Sequence, residues 1–182
     1  MTERFDSLVI PNLILFPSAC WILLYISIHA HWKYTIRAEL QALLAQYTNS
    51  SEPLHKRLSA IPISVWEDAT ATPALDLALR ETIRLVVNFT NLRRYLSGER
   101  ERALKIPGGD GEVPNGGFLA YCMTDAHLNP NIYTNPEVFD PERYNPGREE
   151  DKREPYAYLG WGAGEWQLSC RNDVSKAHAS LR

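Results

Sequence analysis

Four prolines between residues 127 and 146 constrain this chain more than any other feature of its sequence. Each proline fixes its own φ and pushes the preceding residue toward extended geometry, so this stretch is predicted to be a rigid, turn-rich strip rather than a helix or an ordinary strand. Such a strip leaves many backbone groups without partners in regular structure, and side chains must satisfy them. Arg143, with five donors in a fixed fork, is well suited to that task.

A carboxylate partner for Arg143 is predicted on a helix upstream. Residues 73–87 begin with a proline and carry apolar residues at three- and four-residue spacing, which is typical of an amphipathic helix. Glu81 and Arg84 are three residues apart on this helix, so they face the same side and can meet Arg143 in one network. Taken singly, each of these charges is equally typical of a solvated surface.

Four motifs then follow one another in a fixed order: Glu81-Thr-Ile-Arg84, His127-Leu-Asn-Pro130, the segment at 139–144 and the segment at 158–164. Together they resemble the E-x-x-R helix, the P-E-R-F meander and the start of the haem-binding loop of cytochrome P450 enzymes, most closely the fungal members. The resemblance covers about residues 18–164. It implies a mainly α fold with a small β-hairpin, forming a single partial cytochrome P450 domain over residues 1–182 with a divergent tail at 165–182.

The family resemblance also implies an activity and partners. A cytochrome P450 monooxygenase uses haem b to insert one oxygen atom from O2 into a small organic substrate, with electrons from NADPH-cytochrome P450 reductase. Fungal members often serve secondary metabolism, and the resemblance implies the cytosolic face of the endoplasmic reticulum membrane. By the same resemblance, Glu81, Arg84, Arg143 and His127 form a structural network and none is a catalytic acid or base.

Candidate haem contacts lie in two places. Residues 90–96 and 113–122 are predicted to pair as strands around the glycines at 108, 109 and 111. In the family a basic residue of the first strand commonly meets a haem propionate, which makes Arg93 or Arg94 a candidate, although an arginine in solvent explains either equally well. Trp161, Gly162 and Gly164 match the start of the haem loop.

The loop departs from the family pattern where the iron ligand is expected. Leu168 stands at the position of the cysteine and has no lone pair to offer iron, and Trp166 replaces a basic residue. Cys170 lies two residues late and would serve as ligand only if the loop were rebuilt. The abrupt loss of pattern after residue 164 favours a retained intron or a frameshift, so we expect the chain as written to be an inactive fragment.

Charge and hydropathy address the alternatives. A net charge of −3 without a basic cluster argues against nucleic-acid binding, and three cysteines without metal-ligand spacing indicate neither a metal site nor a disulfide framework. Residues 8–28 are apolar and about as long as a membrane span, although Pro11 and Pro17 interrupt them. They leave open a small membrane-anchored, non-enzymatic binding protein. The family resemblance instead makes residues 18–28 half of a long buried helix that continues without a break into an amphipathic helix.

Overall fold

The computed structural model describes residues 3–49, 51–88, 90–97, 103–106 and 108–160 of this 182-residue chain. In the described parts, the helices are α1 (Glu3–Ile28), α2 (Ala30–Tyr47), α3 (Leu54–Ala60), α4 (Ile63–Trp66), α5 (Pro73–Val86) and α6 (Thr124–His127). The strands are β1 (Thr90–Arg94), β2 (Leu104–Lys105), β3 (Glu112–Val113) and β4 (Phe118–Cys122), and 3-10 turns span Pro141–Tyr144 and Glu150–Lys152. This confirms a mainly α fold with a small antiparallel hairpin.

The first two helices differ from expectation in two ways. Helix α1 runs through both Pro11 and Pro17 without interruption. The predicted continuity into α2 is wrong, because His29 leaves helical geometry with φ −96° and ψ 89°. Its half-buried ring stacks on Phe139 with centroids 5.1 Å apart, a contact that no local sequence pattern encodes. Across the described residues, no helix is long and apolar enough to cross a membrane.

Helix α5 is the centre of the described core. Helices α1 and α2 pack on one side of it, where Ile36, Ala74, Ala78 and Phe139 form a buried cluster. A second cluster on its other side joins the end of α5 to α6 and to the chain after the proline-rich strip. The buried members of this second cluster are Ile83, Val87, Met123, Ala126 and Leu159.

The deepest positions of α5 include only one residue, Ile83, of the apolar stripe that its spacing predicts. Leu79 is only half-buried, whereas Glu81, Thr82 and Arg84 are fully buried together with Ile83. The helix is therefore covered on its polar side as well, and its charges must be satisfied inside the protein.

The start of α5 is capped by a residue from another helix. Thr72 occupies the N-cap position but makes no side-chain cap. Instead, the Glu39 carboxylate of α2 accepts hydrogen bonds from the backbone amides of Ala74, at 2.8 Å, and Leu75, at 3.2 Å. A negative charge at a helix N-terminus is favourable, so this contact fixes α5 against α2.

The strands form two separate antiparallel pairs. Strand β1 pairs with β4, with Thr90 opposite Cys122 and Arg94 opposite Phe118, while β2 pairs with β3. The predicted single strand over 113–122 is wrong. Pro114 cannot donate to a ladder, and Gly116 adopts φ +86°, so the chain turns between β3 and β4.

Candidate functional site

Glu81 is the centre of a buried charge network. Its carboxylate accepts hydrogen bonds from Arg84, at 2.8 and 2.7 Å, and from Nε of Arg143, at 3.0 Å. The Tyr144 hydroxyl, at 3.0 Å, and the backbone amide of Asp140, at 3.1 Å, complete its shell. Glu81, Arg84 and Arg143 all have zero solvent exposure. The structure thus brings two of the predicted network residues, Arg84 and Arg143, into direct contact with a third, Glu81.

The buried side chain of Arg143 connects two turns of the proline-rich strip by hydrogen bonds. Besides Glu81, it donates to the backbone carbonyls of Thr134 and Val138, each at 3.1 Å, and to Oε2 of Glu150 at 2.5 Å. One guanidinium therefore satisfies carbonyls on two turns of the strip while both of its carboxylate partners are buried. Two buried arginines face two buried glutamates, so formal charge balances within the cluster.

Glu150 belongs to this cluster although sequence reasoning did not single it out. Burial alone would raise the pKa of this carboxyl group. Hydrogen bonds from Arg148, from the Thr134 amide and from Arg143 lower it by more than burial raises it, so the pKa of Glu150 lies below its ordinary value. The carboxylate is thus held in its charged form. The one sequence signal for it is its position seven residues after Arg143, which alone is too weak to identify a partner.

Tyr133 is a second residue that the sequence reasoning missed. Its ring is fully buried, with the guanidinium of Arg84 at 4.7 Å and that of Arg143 at 5.6 Å from its centroid. Its hydroxyl donates to the carbonyl of Ala157 at 3.0 Å. The aromatic face stabilises both cations where water is excluded.

His127 connects the charge network to the chain that follows the strip. Its backbone carbonyl accepts from Arg84 at 2.5 Å, and its ring Nε2 accepts from the backbone amide of Leu159 at 2.9 Å. Burial first, and then the positive charge of Arg84, lower the pKa of His127 to about 4, while the carbonyls of Val87 and Arg84 oppose this fall. The ring is therefore neutral at pH 7.

Residues 158–160 lie tightly against α5. Tyr158 stacks on His127 with ring centroids 5.7 Å apart, and Leu159 is buried. A Cβ on Gly160 would lie 2.5 Å from Ile83 and 2.4 Å from the Tyr158 hydroxyl, so a larger residue does not fit without movement. The chain is thus closely held just before residue 161.

The remaining predicted site residues are not part of this arrangement. Arg93 and Arg94 are exposed, and their nearest contacts are the carbonyls of Leu92 and Gly116, each at 3.3 Å. Their exposure is compatible with a free surface or with a site that other residues complete.

The predicted loop residues Trp161, Gly162 and Gly164, and the substitute ligand Cys170, lie outside the described residues. Within the ranges that are described, no group of His, Cys, Asp or Glu side chains is arranged to hold a metal ion. The described geometry holds a backbone in place.

Comparison with known proteins identifies relatives over most of the chain. The family model described as Cytochrome P450 matches residues 17–167. The cytochrome P450 monooxygenase AacuE of Aspergillus aculeatus is 39% identical over 137 residues, covering 75% of this chain and 26% of the relative. The cytochrome P450 monooxygenase nsrP of Aspergillus novofumigatus is 36% identical over 139 residues, covering 76% and 26%. The chain spans about a quarter of the length of these curated relatives.

A solved structure gives the same picture of the fold. Retinoic acid-bound CYP120A1 from a cyanobacterium superposes with a TM-score of 0.60 at 22% identity, covering 90% of this chain and 32% of that one. These similarities give no support to a small membrane-anchored binding protein. They confirm the resemblance drawn from the four ordered motifs.

Proposed function

Because this chain belongs to the cytochrome P450 family, we propose that it derives from a haem-dependent monooxygenase and that the chain as written does not catalyse the reaction. The parent reaction is the oxidation of a small organic substrate with O2 and electrons from a reductase of the NADPH-cytochrome P450 type. By the same lineage, the parent enzyme acts at the cytosolic face of the endoplasmic reticulum membrane. The parent enzyme would serve secondary metabolism or detoxification, as fungal members of the family often do.

The observation that carries the lineage proposal is the network of Glu81, Arg84 and Arg143. A helix and an irregular strip some 60 residues later meet in a fully buried, charge-balanced cluster. An accidental match to a short motif would not be expected to place these charges where each has a buried hydrogen-bond partner. We assign these residues and His127 the role of holding the strip, and through it the chain entering the 161–164 loop, against α5.

The donor set of the loop does not fit a haem iron. Haem with an axial cysteine thiolate activates dioxygen, and the thiolate is essential to that chemistry. Leu168 occupies the ligand position with an aliphatic side chain, and the neutral Trp166 cannot form an ion pair with a propionate. Residues 18–164 are accordingly proposed as the family-like part of one partial domain, with 165–182 as a tail unrelated to its function.

Haem reconstitution of the full chain tests both halves of the proposal. The unmodified chain, Leu168→Cys and Leu168→Ser are each titrated with haem, and the reduced carbon monoxide spectrum reports whether a thiolate is bound. We expect a thiolate-type spectrum from Leu168→Cys alone, because Leu168→Ser makes a matched change without a thiolate. A thiolate spectrum from the unmodified chain contradicts inactivity, and its absence from Leu168→Cys shows that restoring the ligand alone does not restore haem binding.

Sequencing the mature transcript across the codons for Gly164 to Cys170 tests the origin of the tail. We expect a transcript that continues in frame into a cysteine at position 168. A transcript that encodes Leu168 and the present tail contradicts the retained intron and the frameshift.

A further inference from the structure

The chain between the charge network and residue 161 depends on one imidazole nitrogen. Nε2 of His127 accepts the Leu159 amide proton at 2.9 Å, so in the neutral ring the remaining proton must lie on Nδ1. Nδ1 is buried and has no hydrogen-bond partner at normal distance among the described residues. The carbonyls of Val87 and Arg84 lie on the Nδ1 side, and on the other side the ring is held by stacking on Tyr158 and by the Leu159 amide.

The surroundings of the ring leave little freedom to the neighbouring backbone. Leu159 is 6% exposed, and Gly160 has no room for a Cβ between Ile83 and Tyr158. The backbone of His127 is itself fixed by Arg84. A continuous set of contacts thus runs from the charge network through His127 to Leu159, two residues before Trp161.

We propose that His127 is a positioning residue whose neutral, Nδ1-protonated ring holds the Leu159 amide and thereby fixes the backbone of residues 159–160, the last described residues before position 161. Its relevance to haem rests on the proposed function. The hydrogen bond itself does not depend on haem. Protonation of Nε2 would remove the acceptor and set two donors against each other, so the contact exists only with a neutral ring.

Charges around the ring favour this neutral state. In the described part of the chain, the charged or titratable groups that face it are Arg84 of α5 and the stacked Tyr158. A guanidinium near a buried imidazole opposes a second positive charge.

The first test is nuclear magnetic resonance of the unmodified, isotope-labelled full chain. Ring nitrogen shifts of His127 are expected to show the proton on Nδ1 at pH 7, and the Leu159 amide signal is expected to move together with ring titration. A proton on Nε2 at pH 7, or a Leu159 signal that ignores the ring, overturns the proposal. This measurement needs no variant and no haem.

The second test compares amide exchange in His127→Gln and His127→Phe. Glutamine places an acceptor oxygen near the position of Nε2, whereas phenylalanine keeps the ring shape without an acceptor. Exchange of the Leu159 amide is expected to accelerate about fivefold in His127→Phe, since one neutral hydrogen bond is worth about that factor. His127→Gln should retain most protection. His55→Gln, at an exposed position, controls for loss of a histidine. Equal exchange in the Gln and Phe variants, or unchanged exchange in both, overturns the proposal.

Adding His127→Phe to Leu168→Cys connects the contact to haem. We expect weaker haem binding than in Leu168→Cys alone, with His127→Gln restoring it. A thiolate spectrum from the unmodified chain would overturn the proposed function, while the amide measurements would still decide the role of His127. Haem binding that is unaffected by His127→Phe would show that the contact between His127 and the Leu159 amide does not influence haem binding.

Discussion

Phe139 of the proline-rich strip lies flat on Tyr25 of α1, with ring centroids 4.6 Å apart and planes inclined by only 6°. The two residues are more than a hundred positions apart in the chain, and Phe139 is 7% exposed. Through this contact the strip is attached to α1 as well as to α5. The strip is thus a structural layer of its own, with apolar contacts on one side and the charge network on the other.

Phe139→Ala is expected to destabilise the chain by about 3–5 kcal/mol, because it removes a buried aromatic side chain and leaves a cavity between α1 and the strip. Urea unfolding followed by circular dichroism measures the loss. Val138→Ala, at an exposed neighbouring position, should change stability by less than about 1 kcal/mol. Equal effects of the two changes would contradict the proposed attachment of the strip to α1.

Glu81→Gln is expected to destabilise by roughly 3–5 kcal/mol, because it leaves two buried guanidinium groups facing a neutral amide. Glu137→Gln removes an exposed carboxylate from the same strip and serves as the matched control. Thermal unfolding of both variants at pH 7 gives the comparison. A Glu81→Gln variant as stable as Glu137→Gln would show that the buried network contributes nothing to the fold.

Glu39→Ala should cost about 1 kcal/mol, the ordinary effect of removing an N-cap acceptor, although Glu39 lies on a different helix from the one it caps. Glu39→Gln retains one acceptor oxygen and should lose less. Glu52→Ala removes an exposed acidic residue that caps no helix and should be close to neutral. Chemical unfolding of the three variants ranks them, and an Ala variant no worse than Glu52→Ala would contradict remote capping.

Stability should fall as the pH is lowered from about 6.5 to about 4. Burial, and then Arg84, hold the pKa of His127 at about 4 in the folded chain against 6.5 in the unfolded one. Between these two pKa values the unfolded state binds a proton that the folded state does not. His127 therefore contributes stability above pH 6.5, and this contribution is lost as the pH falls to the folded pKa. The total loss is roughly 3 kcal/mol. The lowered pKa of Glu150 acts in the same direction at more acidic pH.

Unfolding of the unmodified chain and of His127→Gln, measured at several pH values between 7 and 4, separates the two contributions. The Gln variant should lack the part of the slope between pH 6.5 and 4, because its side chain does not titrate. Identical slopes in the two proteins would assign the acid sensitivity to carboxylates alone.

The members of the charge network and the small β-hairpin could be anticipated from the sequence, because the chemistry of each segment is visible locally even though Arg143 lies 62 residues from Glu81. Arg143 lies two residues after Pro141 in a turn-rich strip and cannot leave its donors unpaired, and Glu81 and Arg84 share one helix face by spacing alone. The break at His29 and the cap from Glu39 could not be anticipated. Each depends on a residue that becomes a neighbour only after packing, Phe139 in one case and Ala74 in the other.

The roles of Tyr133 and Leu159 could not be predicted for the same reason, because both depend on neighbours that meet only in the folded chain. Tyr133 lies between two guanidinium groups only because the strip folds back over α5, and nothing in its own surroundings in the sequence distinguishes it from an exposed tyrosine. Leu159 matters through its backbone amide, which carries no sequence signal at all.

The separation of the two arginine partners of Glu81 has a consequence for the order of folding. Arg84 lies three residues from Glu81, and Arg143 lies 62 residues away. The near pair can form as soon as the helix does, so the carboxylate is already paired when the intervening chain begins to close. Arg143 can reach Glu81 only after some sixty residues of intervening chain have closed into a loop, a step that is slow and entropically costly. The strip should accordingly be the last part to become protected from hydrogen exchange. During synthesis, Glu81 is already paired with Arg84 on α5 before Arg143 has been made.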